Sequence, residues 1–360
     1  MTATQLFARR PLSSSISNMV QQLILTGAIT ALPLQAMAQP EIITDFPQLP
    51  NHQTVQQGEK PDYQPVGHFF ETRRPSRTWS NLYLAFGVQL ASRGQLLASR
   101  PLLERAYSIE PDNADIAFML ASVREGLGDL EKAADIFKHV INLDPDNLDA
   151  LYKLGMLYDK QGNTKEGLEL LQRAINLQPK EPFLYYDSGV LYSKLGNFNK
   201  AAEFAKKATE LDPNFAEALN NYGYALANLG KYQASLEAVN RSLELKPNSA
   251  ASLDTRGFAY QGLNQYQNAL DDYNKAISLN PNIGEIHLHR AQALEKLNQP
   301  VQAILSYKKY LQLEPKALDK KSVLTRIKTL QSHPEYKQTL KTSHDKKTNP
   351  MPNDSPQQSK

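Results

Sequence analysis

The sequence has no cysteine among its 360 residues. This absence excludes disulfides, zinc–thiolate sites, redox-active dithiols, thiol nucleophiles and a lipid-modified N-terminal cysteine. It is compatible with an oxidising compartment, where a free thiol is a liability. A strong charge of one sign is also missing, because the net charge is only +3, too small by itself to indicate a polyanionic partner. Apolar residues still make up 41% of the chain, which is sufficient for a buried core.

No apolar run near the N-terminus is long enough for a membrane span of about 20 residues. The run from Leu23 to Leu34 instead follows Arg9 and Arg10 and precedes Ala36-Met37-Ala38. This order predicts a secretory signal peptide over residues 1–38, and hence an exported protein that is periplasmic or secreted. The alternative is an organellar transit peptide, favoured by the serines between positions 13 and 17.

Residues 39–79 are rich in proline, glutamine and asparagine and show no helical periodicity, so they are predicted to form an extended linker. Phe69-Phe70 interrupts this segment. Whether the two rings dock on the following domain or bind separately is left open.

Prolines recur at a constant spacing of 34 residues through the middle of the chain, at Pro111, Pro145, Pro179, Pro213, Pro247, Pro281 and Pro315. A fixed period of this length is typical of a solenoid. Alignment on the prolines gives seven repeats: 80–113, 114–147, 148–181, 182–215, 216–249, 250–283 and 284–317.

Three further places within the repeat are restricted. The eighth and twentieth places always hold a small residue, which predicts close helix crossings. The fifteenth place is always Gly or Asn (Gly94, Gly128, Gly162, Gly196, Gly230, Asn264 and Asn298), the residues that best tolerate a left-handed backbone at a helix C-terminus. Apolar residues lie between these markers at helical spacing, and no strand-like alternation occurs. Each repeat is therefore predicted to be an amphipathic helix-turn-helix.

With its period of 34, its small residues at places 8, 20 and 27 and its proline at place 32, the array resembles the tetratricopeptide repeat (TPR). The resemblance implies an all-α fold: a right-handed α-solenoid of seven repeats with a capping helix, predicted at 318–332, and a disordered basic tail at 333–360. The array departs from this pattern at a few places. Pro101 lies inside an expected helix and predicts that this helix starts late, near Ser99, whereas Pro300 lies at a helix-opening place. Place 27, normally small, holds Val140 and Tyr310 in two repeats.

No residue pattern indicates catalysis. His287 and His289 diverge by about 200° on a helix and do not make a metal pair. The pair Asp271-Asp272 is predicted to face solvent. Because no segment outside the repeats is long enough for a catalytic domain, we expect a protein that is not an enzyme, with no cofactor, no metal and no small-molecule substrate.

The resemblance implies that the first helix of each repeat lines a concave groove. The predicted partner-binding residues are Phe118, Tyr152, Met156, Tyr186, Val190, Asn220, Asn221, Tyr224, Asp254 and Phe258. Exposed aromatic rings are unfavourable unless they bind something, and we expect about half of these side chains to face solvent. The expected function is a protein–protein interaction scaffold or adaptor for a protein or an extended peptide, in cell-envelope assembly or secretion. Its oligomeric state is left open.

Two alternatives follow from charge. Residues 316–360 carry 10 basic and 4 acidic side chains, so the tail could tether the protein weakly to anionic lipid or polymer. Some helical-repeat proteins bind RNA, but residues 80–315 carry 24 basic and 28 acidic side chains, which disfavours nucleic acid. The lysine clamp with which some TPR proteins hold a C-terminal carboxylate is also missing, because no fifth place is lysine.

Overall fold

The computed structural model of the chain describes residues 77–334 and 336–337. These residues form helices and turns without any strand, so the predicted all-α fold is confirmed. The helices are α1 (Arg77–Ser92), α2 (Leu96–Ile109), α3 (Ala114–Gly126), α4 (Leu130–Leu143), α5 (Leu148–Lys160), α6 (Thr164–Leu177), α7 (Pro182–Lys194), α8 (Phe198–Leu211), α9 (Ala216–Asn228), α10 (Tyr232–Leu245), α11 (Ala250–Gly262), α12 (Tyr266–Leu279), α13 (Gly284–Lys296), α14 (Pro300–Leu313) and α15 (Lys320–Ser332). The predicted signal peptide and Phe69-Phe70 lie outside the described residues.

The helices divide into two compact units, with the boundary between Leu177 and Gln178. Unit 1 contains three helical hairpins, α1 to α6, and unit 2 contains four hairpins, α7 to α14, followed by α15. Within each unit the second helix of a hairpin packs against the first helix of the next one. In unit 2 the first helices α7, α9, α11 and α13 also contact one another in sequence, so their side chains form one continuous surface.

The turn inside each hairpin has the left-handed residue that the sequence predicts. Five glycines and two asparagines have a positive φ, between 57° at Asn298 and 89° at Gly162. After α3, the amide of Gly128 donates to the carbonyl of Glu125 and the next amide, of Asp129, donates to the carbonyl of Arg124. These bonds satisfy carbonyls at the end of the helix that have no intrahelical partner. The predicted reason for Gly or Asn at this place is confirmed.

The two helices of a hairpin approach most closely at the places that hold small residues. A Cβ added at Gly167 would lie 2.5 Å from the carbonyl oxygen of Gly155. In two other hairpins the small residue is serine, and its hydroxyl donates across the crossing: Ser99 to the carbonyl of Gly87 and Ser235 to that of Gly223, each at 2.7 Å. A larger side chain at any of these places would force the helices apart.

Pro101 does not delay its helix, contrary to the prediction. Helix α2 begins at Leu96 and includes Pro101, and its N-cap is Gln95 rather than Ser99. A proline this close to the start removes only the bond to the carbonyl of Leu97. The side chain of Leu97 is 73% exposed, so water can solvate this first turn. Pro300 opens α14 as predicted.

The last helix caps the array, but along fewer residues than predicted. Helix α15 begins at Lys320, not at residue 318, and Leu318 is fully exposed ahead of it. Val323 and Ile327 are the buried residues of α15, whereas Leu324 is exposed. Tyr310, at a place that is small in five of the other six repeats, is buried, and its hydroxyl donates to Asp319 Oδ1 at 2.6 Å.

The segment after α15 also differs from the predicted disordered tail. Residues 334, 336 and 337 are helical, and Tyr336 packs against the core of the last hairpin. This apolar contact explains why residues 334, 336 and 337 are helical, although the polar composition of the segment predicts disorder. The rest of the tail, from residue 338, lies outside the described residues.

Candidate functional site

The candidate residues of unit 1 lie on the first helices α3 and α5. Phe118, Tyr152 and Met156 are all half-buried. Phe118 packs edge-on against the buried ring of Phe137 with the centroids 5.6 Å apart, and it contacts the core of the first two hairpins. Each of these side chains therefore keeps only part of its surface for a partner.

A buried carboxylate lies next to these residues, and the sequence analysis did not identify it. The side chain of Glu125 is 6% exposed and accepts from Lys153 Nζ at 3.1 Å and from Lys160 Nζ at 2.5 Å. Burial alone would raise the pKa of Glu125, but the two ammonium groups more than offset it and hold the pKa below its usual value. Lys153 is thus engaged within the unit.

The aromatic candidates of unit 2 each pack against another ring. Tyr186 on α7 lies 4.9 Å from Phe215 between centroids, Tyr224 on α9 lies 6.1 Å from Phe198, and Phe258 on α11 stacks on His289 at 5.5 Å. These distances are those of ordinary aromatic pairs. All ten candidate residues are half-buried in the structure. The expected division into exposed and buried members does not occur, because ring partners cover one side of the aromatic candidates in the middle of unit 2.

Two asparagines on α9 carry polar atoms that the protein does not satisfy. Asn220 Oδ1 and Asn221 Nδ2 are shielded from solvent, and neither has a hydrogen-bond partner among the described residues. An unpaired buried amide atom typically costs about 1–3 kcal/mol. One atom is an acceptor and the other a donor, which is the pair of groups that a peptide backbone complements.

Asp254 on α11 forms an ion pair with His289 on α13, and the sequence analysis did not foresee this pair. His289 Nδ1 lies 2.9 Å from Asp254 Oδ1, and both side chains are less than a fifth exposed. Burial would lower the pKa of His289, but the charges of Asp254 and Glu285 and the hydrogen bond to Asp254 raise it above its usual value. Burial also raises the pKa of the Tyr224 hydroxyl, and so do the charges of Glu285 and Asp254. The negative charge of both carboxylates therefore acts on the Tyr224 hydroxyl.

His287 has a structural role. Its ring is buried, and Nε2 lies 2.9 Å from the carbonyl oxygen of Pro281 at the turn before its helix. His287 and His289 thus have different surroundings, as their helical spacing predicts. Among residues 77–334 and 336–337, no three His, Asp or Glu side chains are grouped so that they could hold a metal ion.

Asp272 does not face solvent, and the prediction for it is wrong. It is 6% exposed and accepts two bonds from the guanidinium of Arg256, each at 2.7 Å. Arg256 on α11 reaches across its hairpin to α12, which makes burial of the carboxylate favourable. Asp271 is exposed, as predicted.

Comparison with protein families agrees with this arrangement of hairpins. Family models described as tetratricopeptide repeat match residues 84–147 and 186–250, residues 124–186, and residues 255–283. Together these matches span more than half of the chain. The chain belongs to the tetratricopeptide repeat family. TPR proteins are generally non-enzymatic scaffolds for protein–protein interaction, and none of the helices in the described part of this TPR protein has the length and apolar character to cross a membrane.

Solved structures show the same fold at low sequence identity. A tetratricopeptide repeat protein from Parabacteroides merdae has a TM-score of 0.59 and 18% identity, over 71% of this chain and 100% of that chain. The APC/C hetero-tetramer Cut9-Hcn1 has a TM-score of 0.56 and 18% identity, over 73% of this chain. This TPR protein spans only 50% of the Cut9-Hcn1 chain that it matches. At these identities the likeness concerns the fold alone, and no curated protein matches the sequence.

Proposed function

We propose that this TPR protein is a scaffold that holds an extended segment of another protein along the first helices of unit 2. The observation that carries the proposal is the pair of shielded, unpaired amide atoms on α9, Asn220 Oδ1 and Asn221 Nδ2. A partner's backbone N–H and C=O would satisfy both atoms once the two half-buried side chains rotate outward, and each such bond would recover part of the energy lost by burying the atoms unpaired.

The rings beside these amides supply apolar contact area. Tyr224 lies one helical turn beyond Asn220 on the same face of α9, and Tyr186 and Phe258 lie on the neighbouring first helices, which contact α9. Aromatic side chains that are held by ring partners lose little conformational freedom on binding. Such residues commonly provide most of the binding energy at an interface.

A matched pair of double variants tests the proposal. Asn220→Ala with Tyr224→Ala removes one amide and one ring from the first-helix surface. Asn268→Ala with Tyr266→Ala removes the same groups from α12, which is the second helix of its hairpin and not one of the first helices. We expect the first variant to reduce partner capture from a cell-envelope extract about 30-fold or more, since loss of such an anchor costs about 2 kcal/mol or more. The second variant should bind like the wild type, and circular dichroism should show that both remain helical.

A third variant, with residues 338–360 deleted, separates the groove from the basic tail. If the deletion abolishes capture and the Asn220–Tyr224 variant does not, the partner binds the tail and the scaffold proposal is wrong. Loss of that capture in added salt would then indicate an anionic lipid or polymer, because screening weakens contacts between exposed charges.

We also propose that the protein acts outside the cytoplasm, in cell-envelope assembly or secretion. The support is the order of basic, apolar and small-x-small regions in residues 1–38. N-terminal sequencing of the mature protein should begin at Gln39. A mature protein that retains Met1 would refute both the export and the envelope role.

A further inference from the structure

On the first helices of unit 2, the carboxylate of Glu285 has no charged partner among the described residues. Glu285 lies in the first turn of α13, is exposed, and forms no ion pair with any described residue. Two other carboxylates on these helices are neutralised by the chain itself: Glu217 by Lys246, and Glu295 by Arg326, whose guanidinium donates two bonds to it. Glu285 therefore contributes a full negative charge to this surface.

The surroundings of Glu285 suit a positive charge. Glu285 precedes His289 by one helical turn, and its charge acts on both His289 and Tyr224. His289 in turn pairs with Asp254 and stacks on Phe258. We call Tyr224, Asp254, Phe258, Glu285 and His289 the carboxylate patch. Two acids next to aromatic rings are groups that bind an ammonium or guanidinium, through charge and through the faces of the rings.

The net charge of the patch depends on His289. When the imidazole is protonated it neutralises Asp254, and Glu285 leaves the patch with one negative charge. When the imidazole is neutral the patch carries two. The groups that face His289 are Asp254 on α11, Tyr273 on α12 at 5.9 Å between rings, Phe258 on α11, and Glu285 on its own helix. None of them is basic, so the patch is negative in both states.

We propose that the carboxylate patch receives a lysine or arginine side chain of the partner segment. This inference rests on the proposed function, because it places the basic residue in a segment whose backbone lies at Asn220 and Asn221 on α9, the helix that also carries Tyr224 of the patch. An acidic residue at the same point would be repelled by Glu285, and an aliphatic residue would leave the carboxylate without a partner. The patch thus selects among extended segments that the rings and amides alone would bind equally well.

Selection of random 12-residue peptides displayed on phage, with the full chain immobilised, tests this specificity without knowledge of the natural partner. We expect the wild-type pool to be enriched about three- to five-fold in Lys and Arg at one position, the range expected for one partly exposed ion pair. With the selection carried out at pH 6, where protonated His289 neutralises Asp254, Glu285→Gln should remove the enrichment, and Glu285→Lys should replace it with enrichment in Asp and Glu. Glu237→Gln, on the second helix α10, is the matched control and should select the wild-type pool.

A pH series supplies a second readout. For a synthetic peptide from the wild-type pool, affinity should rise about three-fold between pH 6 and pH 9, because loss of the His289 proton adds a negative charge to the patch. Replacement of the peptide's lysine by norleucine, or His289→Gln in the protein, should abolish this rise.

The outcomes separate the inference from the function on which it rests. Peptides whose binding is lost with Asn220→Ala and Tyr224→Ala, but which show no preference for Lys or Arg, would leave the scaffold proposal intact and refute the patch. A basic preference that persists in Glu285→Gln would also refute it. If no displayed peptide binds the wild-type chain, the scaffold proposal is wrong and the patch inference is wrong with it.

Discussion

Replacement of Asp272 by alanine is the most direct test of the packing between α11 and α12. Two bonds of 2.7 Å join its carboxylate to the Nε and to one terminal nitrogen of Arg256. The other terminal nitrogen of Arg256 donates to Asn240 Oδ1 at 3.1 Å. Asp272→Ala therefore leaves a guanidinium inside the hairpin with one neutral acceptor in place of a carboxylate.

The expected cost follows from burial. Removal of one partner of a fully buried ion pair costs about 3–5 kcal/mol. The Arg256 side chain is 26% exposed and that of Asp272 8%, so water partly solvates the stranded guanidinium, and we expect about 2–3 kcal/mol. For a folding unit of this size, that loss lowers the Tm by about 4–12 °C.

Thermal unfolding followed by circular dichroism measures the shift, and Asp271→Ala is its control. The two aspartates are adjacent in sequence, but Asp271 is exposed and its replacement should change stability by less than about 0.5 kcal/mol. Equal melting curves for the two variants would show that the ion pair stabilises nothing. A larger loss at Asp271 would contradict the packing described for α12.

Three further predictions concern other parts of the fold. Gly167→Leu should destabilise unit 1 by about 2–3 kcal/mol in urea unfolding, since its Cβ would lie 2.5 Å from the carbonyl oxygen of Gly155, whereas exposed Glu169→Leu on the same helix should be nearly neutral. Gly230→Ala should lower the free energy of unfolding by about 1 kcal/mol and Gly230→Asn by less, because φ is +75° at this residue. Nothing lies within 4 Å of the added Cβ, so the loss comes from the backbone alone. An alanine variant as stable as the wild type would contradict the turn conformation. The raised pKa of His289 predicts that the wild type exceeds His289→Gln in stability most clearly below about pH 6.5. In denaturant titrations this difference in stability should disappear as the pH rises through the folded-state pKa of His289. A difference that instead grows at alkaline pH would refute the ion pair.

The repeat frame was predictable because its markers act locally. The backbone conformation of a single turn requires Gly or Asn at the fifteenth place. A single close helix crossing requires the small residues Gly155 and Gly167. Pro101 was misinterpreted because a proline tolerated in the first turns of a helix cannot be told from a helix-opening proline by sequence alone. The outcome depends on whether water reaches the carbonyl that loses its bond.

The site was less predictable because its groups meet across repeats. His289 pairs with Asp254, and Glu125 pairs with Lys160, each across a separation of 35 residues in the sequence. In the sequence Asp272 has the same pattern as its neighbour Asp271, but Arg256 contacts Asp272 from another helix. Helical spacing gives the face on which each side chain lies. It does not say which charge on the next helix stands opposite.

The extensive contacts in each unit join helices that are one or two positions apart in the chain, and this has a consequence for how the protein folds. Contacts so close in sequence require little loop closure before they form, so folding should be fast and should start in any hairpin that forms first. A lesion in one hairpin should then unfold that hairpin and loosen its immediate neighbours, while more distant hairpins of the same unit keep their protection from amide hydrogen exchange.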